Sequence, residues 1–339
     1  MRRRNFSTAS ELRRSLNLVI LGVTFGMGFF TVIGNPIGAP AFTGFIRLLG
    51  AGDLVYGAIM ALPVLGGIAQ IFASYAMENT GKRKFYFLLF GFIHRLTWIP
   101  IALIPLLMPS LNNTVRIWIV AILIAIASTS SSIINVSFLS WMGELVPIEI
   151  KGRFFSRRKA VSTICGAVTG LIMGKVLDKV NGFDGFAVVL IIASLMGAAD
   201  ILCFIWVKHP QMKLSNEKKP FFALLKEPFK DKNYIKFITF VSMWNFGVNI
   251  AAPFFNVYMI EYLNMGYFAI ALFSQVIGNI VTILCIGYWG RLVDRFGCKP
   301  VMIICCSISV ILPFLWIFAT PSNYFIVLLI NLITGIVTP

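Results

Sequence analysis

Long apolar runs recur along this 339-residue chain and constrain its fold more than any other feature. A helix needs roughly 20 apolar residues to cross about 30 Å of hydrocarbon, and most runs approach that length. Hydrophobic residues make up 58% of the chain and charged residues 12%, which excludes an ordinary soluble domain. The pattern predicts an all-α polytopic membrane protein. In order, the predicted spans are Leu16–Pro36, Leu54–Met77, Phe85–Met108, Ile117–Met142, Ala160–Val176, Phe186–Val207, Ile235–Tyr258, Tyr267–Tyr288, Val301–Phe318 and a tenth from near Tyr324.

Basic residues give the chain a formal net charge of +16, and their positions predict its orientation. Most of the Lys and Arg residues lie in the N-terminal arm and in the turns after spans 2, 4, 6 and 8, which share one side of the membrane. Such segments stay in the cytoplasm. We therefore expect a multi-pass protein of the cytoplasmic membrane with a cytoplasmic N-terminus, and this orientation explains the charge without a nucleic-acid partner.

A segment rich in lysine and proline predicts a division of the chain into two bundles. The predicted domains are a basic cytoplasmic arm at 1–15, an N-terminal six-helix bundle at 16–207, a cytoplasmic linker at 208–233, and an incomplete C-terminal bundle at 234–339. The last of these holds span 7 to part of span 10.

Three charged turns between spans carry motifs, and two of them, after spans 2 and 8, share one pattern. Glycine suits a tight turn because it takes positive φ at little cost, and a cluster of charges must lie outside the hydrocarbon. The turns after spans 2, 4 and 8 contain, respectively, Glu78, Gly81 and Arg83; Glu144 and Arg153; and Gly290, Asp294, Arg295, Gly297 and Lys299. The likeness of the first turn to the third predicts a duplicated membrane protein.

These turns resemble the signature loops of the major facilitator superfamily, and the resemblance covers the whole chain. It implies two pseudo-repeated helical bundles, here six spans plus an incomplete second half, and secondary active transport by alternating access. In this family the acidic residue of the turn after span 8 sits against the N-terminus of span 5. Asp294, helped by Arg153 or Arg157, is therefore expected to stabilise the conformation closed to the cytoplasm. The first turn departs from the family pattern, with Glu78 in place of Asp and Asn79 in place of Arg.

The repeat also predicts segments beyond Pro339, including spans 11 and 12. An apolar helix that stops midway across the membrane would leave backbone carbonyls unsatisfied in hydrocarbon. We therefore expect the chain to be a truncated product or partial sequence of a twelve-span transporter that does not transport alone.

Polar side chains recur at helical spacing on spans 1, 4, 7 and 8, with further ones on span 10, and the family fold places spans 1, 4, 7 and 10 around a central cavity. The candidate cavity residues are Asn35, Ser131, Asn135, Asn245, Asn249, Gln275 and Asn279. Their amides and hydroxyls favour a neutral polar solute such as a sugar or nucleoside. The aromatic side chains of Trp244, Phe254 and Phe255 leave export of a hydrophobic compound open as the alternative, and a non-transporting sensor of the same fold is another.

Two opposite charges fall well inside predicted spans, Arg95 in span 3 and Asp200 in span 6. A charge in the bilayer centre is costly unless it is paired or hydrated. The sequence predicts an Arg95–Asp200 ion pair, with a structural role and a role in transport both open.

Motifs for catalysis or metal binding are absent from the sequence. His94 and His209 form no cluster, and the cysteines show no CxxC spacing. We predict no enzyme activity, no cofactor and no metal. The predicted partners are a small-molecule substrate, the lipid bilayer and, as a candidate, a coupling proton or cation, and the protein is expected to be a monomer.

Overall fold

The computed structural model describes residues 9–34, 38–210 and 228–337, and within these ranges the chain is helical with no strand. Nine helices in these ranges are long and apolar enough to cross a membrane, and a shorter apolar helix follows. This agrees with the predicted all-α polytopic class. The predicted cavity residue Asn35 and most of the predicted linker lie outside the described residues.

The first half contains six spans, and two of them consist of two successive helices. Span 1 is Ala9–Ile33, span 2 is Asp53–Gly66 with Ala69–Thr80, span 3 is Arg83–Leu96 with Trp98–Leu107, span 4 is Asn113–Leu145, span 5 is Lys151–Lys179, and span 6 is Gly182–Ile205. A short helix, Pro40–Leu48, connects spans 1 and 2.

The second half contains the remaining described spans, and π-helical turns interrupt two of them. Span 7 is Lys232–Val257 followed by the π segment Tyr258–Tyr262; span 8 is Tyr267–Ala271, the π segment Leu272–Gly278 and Asn279–Phe296; span 9 is Cys298–Leu315 with the 3-10 turn Trp316–Phe318; and span 10 is Ile326–Val337.

Alternation of the spans gives the molecule two ends. The linker end carries the start of span 1, the turns after spans 2, 4 and 8, and residues 208–210 after span 6. The far end carries Pro40–Leu48 and the connections after spans 3, 5, 7 and 9. At the linker end, Gly81 and Gly297 take φ of 67° and 83°. This is the region where glycine avoids a side-chain clash.

The basic residues after span 4 belong to a helix and not to the loop that the sequence predicts. Span 5 starts at Lys151 directly after the 3-10 turn Ile148–Ile150, well before the predicted start at Ala160. Lys and Arg are good helix formers, so they extend the span beyond its apolar part. Arg153 and Arg157 are exposed on its first turns.

Both halves have buried apolar cores. In the first half, span 1 packs along span 6, and Trp98 and Trp141 are fully buried near opposite ends of the bundle. In the second half, a smaller cluster around Met259, Phe273 and Val327 lies toward the far end. The core at the far end of the first half also includes Val257 of span 7, so the two halves contact each other there through apolar side chains.

Candidate functional site

Spans 5 and 8 meet at the far end through a carboxylate and a helix N-terminus. The backbone N–H groups of Tyr267 and Phe268 donate to the two oxygens of Asp178, at 2.7 and 3.0 Å. The first N–H groups of a helix have no acceptor within the helix, and the positive end of its dipole attracts an anion. Asp178 at the end of span 5 therefore caps span 8 from the other half.

A second contact between the halves joins the Pro40–Leu48 helix to the end of span 7. Arg47 donates from Nε and Nη2 to the carboxylate of Glu261, at 2.5 and 2.8 Å, and from Nη1 to Asp53 at 2.7 Å. The hydrogen bond to Glu261 is the main cause of the raised pKa of Arg47. This bidentate geometry is the strongest form of an arginine–carboxylate pair.

Two neutral hydrogen bonds connect the halves beside that pair. The Tyr56 hydroxyl donates to the carbonyl of Pro253 at 3.0 Å, and Asn256 Nδ2 donates to the carbonyl of Gly38 at 2.7 Å. Tyr56 also shares a 3.0 Å hydrogen bond with Thr43. The four connections use Asp178, Arg47, Tyr56 and Asn256, and none of these residues was a predicted site residue. The sequence signal that could have indicated them is a polar side chain near the end of a span.

The linker end of the second half is exposed. Asp294, Arg295, Gly297 and Lys299 are all exposed, and a Cβ added at Gly290 would meet nothing within 4 Å. The start of span 5 has no side-chain cap. The structure thus does not bring Asp294 to span 5, and their predicted contact stays a prediction for a conformation closed at this end.

An open cavity of about 560 Å³ lies along the linker end of span 1 and is lined by Arg13, Asn17 and Leu21, among others. Asn17 and Thr31 lie fourteen residues apart, which places them on nearly one helical face. Thr31 lines a second cavity near the far end, of about 30 Å³, between spans 1, 5 and 8. At the linker end the open space is bounded by span 1 alone, whereas at the far end spans 1, 5 and 8 enclose only a narrow cavity.

The first signature turn is built into the first half. Arg83 is 0% exposed and donates to Glu144 Oε2 at 2.6 Å, to His209 Nε2 at 3.1 Å and to the carbonyl of Pro210 at 2.8 Å. Glu78 is exposed. The predicted residues Arg83 and Glu144 are therefore brought together, whereas the part of His209 was not predicted. Burial, followed by the charges of Arg83 and Lys84, lowers the pKa of His209.

The structure does not bring all the predicted cavity residues to one cavity. Gln275, in the π segment of span 8, shares the far-end cavity with Thr31, whose Oγ1 is buried without a hydrogen-bond partner. Ser131 is half-buried and Asn135 exposed. These two side chains lie outside that cavity lining.

The other three predicted cavity residues that the structure describes are asparagines that bond to their own helix. Asn245, Asn249 and Asn279 each donate one N–H to the backbone carbonyl four residues earlier, at 2.8, 2.7 and 2.6 Å. An Asn side chain has a second N–H and an accepting oxygen. Those groups remain available to water or a solute.

The structure brings the two intramembrane charges together. Arg95 Nη2 lies 3.0 Å from Asp200 Oδ2, and the arginine side chain is 3% exposed. The guanidinium carbon lies 4.1 Å from the ring centroid of Phe29 and 4.5 Å from that of Phe30. The Arg95 Nε and Nη1 atoms have no hydrogen-bond partner. The two phenylalanine rings stabilise the buried guanidinium by cation–π contacts instead.

Glycines make room for this pair. A Cβ at Gly22 or Gly26 of span 1 would lie 2.9 Å from a carboxylate oxygen of Asp200, and one at Gly197 would lie 2.6 Å from Arg95 Cδ. Small residues let helices approach closely, and here the space that the glycines leave is occupied by a charged pair. No group of three or more His, Cys, Asp or Glu suited to a metal occurs among the described residues.

Comparison with known proteins places this geometry in a family. Residues 16–339 match the family model described as Major Facilitator Superfamily. No curated protein sequence matches the chain significantly. Among solved structures, a variant of the nucleoside transporter NupG is 16% identical with a TM-score of 0.70, over 96% of this chain and 79% of that one.

Two further structures show the same fold. A D-xylose-proton symporter is 15% identical with a TM-score of 0.60, covering 95% of this chain and 78% of that one. A bacterial homolog of the human lysosomal transporter Spinster, in an inward-facing and unoccupied conformation, is 13% identical with a TM-score of 0.63, covering 98% and 74%. Because the family model extends over nearly the whole sequence, the chain belongs to the major facilitator superfamily of membrane transporters.

Proposed function

We propose that this protein is a secondary active transporter that carries a neutral polar solute, such as a sugar or a nucleoside, across the cytoplasmic membrane by alternating access. The observation that carries the proposal is the pair of polar side chains at the closed far end. The unpartnered hydroxyl of Thr31 and the amide of Gln275 line one small cavity between the halves, which would widen to hold a solute when the far end opens. Uncharged donors and acceptors in such a site suit hydroxyl and amide groups of a solute.

Similarity in fold agrees with this class of solute without fixing it. The similar structures include a nucleoside transporter and a D-xylose-proton symporter. The packing of aromatic side chains argues against the alternative function, export of a hydrophobic compound. Phe255 stacks on Trp316 with ring centroids 4.5 Å apart, and Phe254 packs edge-on against Tyr56 at 5.7 Å. Two of the aromatic side chains that favoured a hydrophobic ligand are therefore engaged within the protein.

Solute class can be tested by binding to the full chain in lipid nanodiscs. The probes are uridine and D-xylose as neutral solutes, uridine monophosphate and gluconate as charged ones, and tetraphenylphosphonium as a hydrophobic cation. We expect a neutral probe to bind, and Thr31→Val and Gln275→Leu each to weaken it by about tenfold, the value of one lost hydrogen bond. Thr97→Val is the matched control, because that hydroxyl bonds Ile93 within its own helix.

Binding of only the charged or hydrophobic probes would contradict the proposed solute class. A neutral probe that binds but does not cross vesicles, with or without an imposed proton gradient, would contradict transport by these 339 residues alone.

Orientation is a separate part of the proposal, in which the linker end faces the cytoplasm. Single cysteines at Thr114, near the far end, and at Lys299, in the turn after span 8, would be labelled in a cysteine-free background. A membrane-impermeant maleimide added to intact cells should label the first position only. Labelling of Lys299→Cys alone would reverse the orientation.

A further inference from the structure

The start of span 8 depends on the other half of the molecule for its cap. Gly266 occupies the N-cap position and has no side chain, with φ −64° and ψ 151°. Asp178 supplies the acceptor that an N-cap Ser, Thr or Asp would normally provide. The two hydrogen bonds from Tyr267 and Phe268 therefore stabilise two things together, the first turn of span 8 and the contact between spans 5 and 8.

Glycines on three elements lie close to the residues of this cap. A Cβ at Gly174 of span 5 would lie 2.8 Å from the nitrogen of Phe268, and one at Gly44 would lie 1.9 Å from the hydroxyl of Tyr267. A Cβ at Gly266 would lie 3.0 Å from Asp178 Oδ2. Real Cβ atoms do not approach backbone as closely as 2.8 Å, so the contact of Gly174 with the first turn of span 8 forms only because Gly174 has no side chain. At Gly44 and Gly266 a Cβ would meet side-chain atoms.

Local pairing on span 5 does not explain the position of the carboxylate. Lys175 and Lys179 flank Asp178 on the same helix end and are exposed. A surface carboxylate could pair with a lysine three or four residues away at little cost. In the structure both oxygens instead face the N–H groups of span 8.

We propose that Asp178 is a conformational lock that holds the far end shut, because its two hydrogen bonds exist only while spans 5 and 8 touch. Opening of the far end separates Asp178 from span 8 and leaves both N–H groups and the carboxylate to water. Asp178 thus acts on the balance between the two access states and not on the solute. The inference rests on alternating access but not on the neutral-solute class.

Distance measurements between spin labels test the lock without any solute. Labels at Thr114 and Ser322, which are exposed near the far end on opposite halves, report opening of that end. A pair at Lys159 and Lys299 reports the linker end. Asp178→Ala should raise the ratio of open to closed far ends by about five- to thirty-fold, as expected for a lost cap. Asp178→Asn, which keeps one acceptor, should give a smaller change.

Asp184→Asn is the matched control, because Asp184 is an exposed carboxylate at the same end. Unchanged distances in both Asp178 variants would overturn the proposal. Gly174→Ala is an independent variant that should also open the far end by pressing on span 8. Gly247→Ala, where the added Cβ meets nothing within 4 Å, should not open it.

A variant with its own N-cap on span 8 distinguishes two roles of Asp178, a lock between the halves and a cap that only stabilises the start of the helix. Gly266→Ser in the Asp178→Ala background gives span 8 its own N-cap in a backbone conformation that suits serine. If Asp178 locks the two halves, the far end stays open in this double variant. Recovery of the closed distances would show that Asp178 merely supports the first turn of span 8, and would refute the lock. Neither result depends on which solute binds.

Discussion

The far end and the linker end of this transporter differ in their contacts although both have a well-packed core beside them. At the far end, four sets of polar contacts cross between the halves, centred on Asp178, Arg47, Tyr56 and Asn256. At the linker end, the turn around Asp294 is exposed, and a cavity of about 560 Å³ opens along span 1. The closed far end is therefore held by a few polar side chains at the ends of helices together with apolar packing of Phe254, Val257 and Tyr267 against the first half.

Such contacts are individually weak, which suits a protein that must open them repeatedly. Exposed ion pairs contribute about 0.2–1 kcal/mol each, and a charge at a helix N-terminus contributes about 0.3–1 kcal/mol. The summed preference for one closed end is then a few kcal/mol. A ligand can shift an equilibrium of that size through its differential affinity for the two states.

The largest expected effect comes from damage inside one half. Asp200→Ala should cost about 3–5 kcal/mol of stability because it leaves Arg95 buried and unpaired. Replacing both residues by apolar ones, Arg95→Met with Asp200→Leu, should recover much of that loss. Unfolding in an SDS titration measures the four stabilities of the cycle, those of the parent, Arg95→Met, Asp200→Leu and the double variant. A double variant as unstable as the sum of the singles would show that the pair contributes no coupling.

This pair also sharpens the comparison of the ends. Because it lies within the first half, the distances at both ends of the folded fraction should match those of the parent. A change at one end alone would mean that the interior of the bundle takes part in closure.

The next effect concerns the charged contact at the far end. Arg47→Glu removes its pair with Glu261 and places a third carboxylate near Asp53 as well. We expect the equilibrium to shift toward the open far end by up to about 1.5 kcal/mol, the sum of a lost pair and a like-charge repulsion. The Thr114–Ser322 distance would measure it, and the effect should shrink in 1 M salt because the Debye length falls to about 3 Å. A salt-independent effect would indicate lost packing instead.

The fold could be predicted further than the site. Apolar length and composition alone predicted the nine long helices, because hydrocarbon requires each backbone polar group to be bonded within its helix. The predicted start of span 5 was wrong, because hydropathy marks where a helix leaves the hydrocarbon and not where the helix begins. Arg153 and Arg157 continue the helix in water.

The contacts between halves could not be predicted from spacing. Asp178 and Glu261 lie at the ends of spans, where a carboxylate is ordinary, and their partners are far away in sequence. Such a contact depends on the relative orientation of the two halves. The periodicity of residues within one helix carries no information about that orientation. Arg95 and Asp200 were predicted as partners because a charge inside a span has so few ways to be satisfied.

A smaller effect is expected at the linker end. In a conformation closed there, Asp294 is predicted to sit against the N-terminus of span 5. Asp294→Asn should favour the open linker end by about 1 kcal/mol, the value of a charge at a helix N-terminus. The label pair at Lys159 and Lys299 would show it as a loss of the short-distance population. Gly287→Ala, whose Cβ meets nothing within 4 Å, is the control, and unchanged distances in Asp294→Asn would contradict the contact.

The smallest effect is a pH dependence confined to the first half. His209 accepts a hydrogen bond from Arg83 Nε, which requires a neutral ring at Nε2. Its pKa is lowered by burial and then by the charges of Arg83 and Lys84, below the ordinary value of 6.5. The unfolded chain therefore binds the proton first as pH falls. The contribution of His209 is complete above pH 6.5 and is lost as pH falls from 6.5 toward the lowered pKa.

Because this histidine is only half-buried, screening keeps the effect below about 1 kcal/mol. Thermal unfolding between pH 7.5 and 5 should show a loss of stability in the parent that His209→Gln, which keeps an acceptor but does not titrate, partly removes. Equal pH dependence in both proteins would exclude His209 as the source. The network of Arg83, Glu144 and His209 joins the first half to the start of the predicted linker directly after span 6. Acidification should therefore lower stability through this network while the distances at the far end stay unchanged, since none of the contacts between the halves within the described residues involves His209.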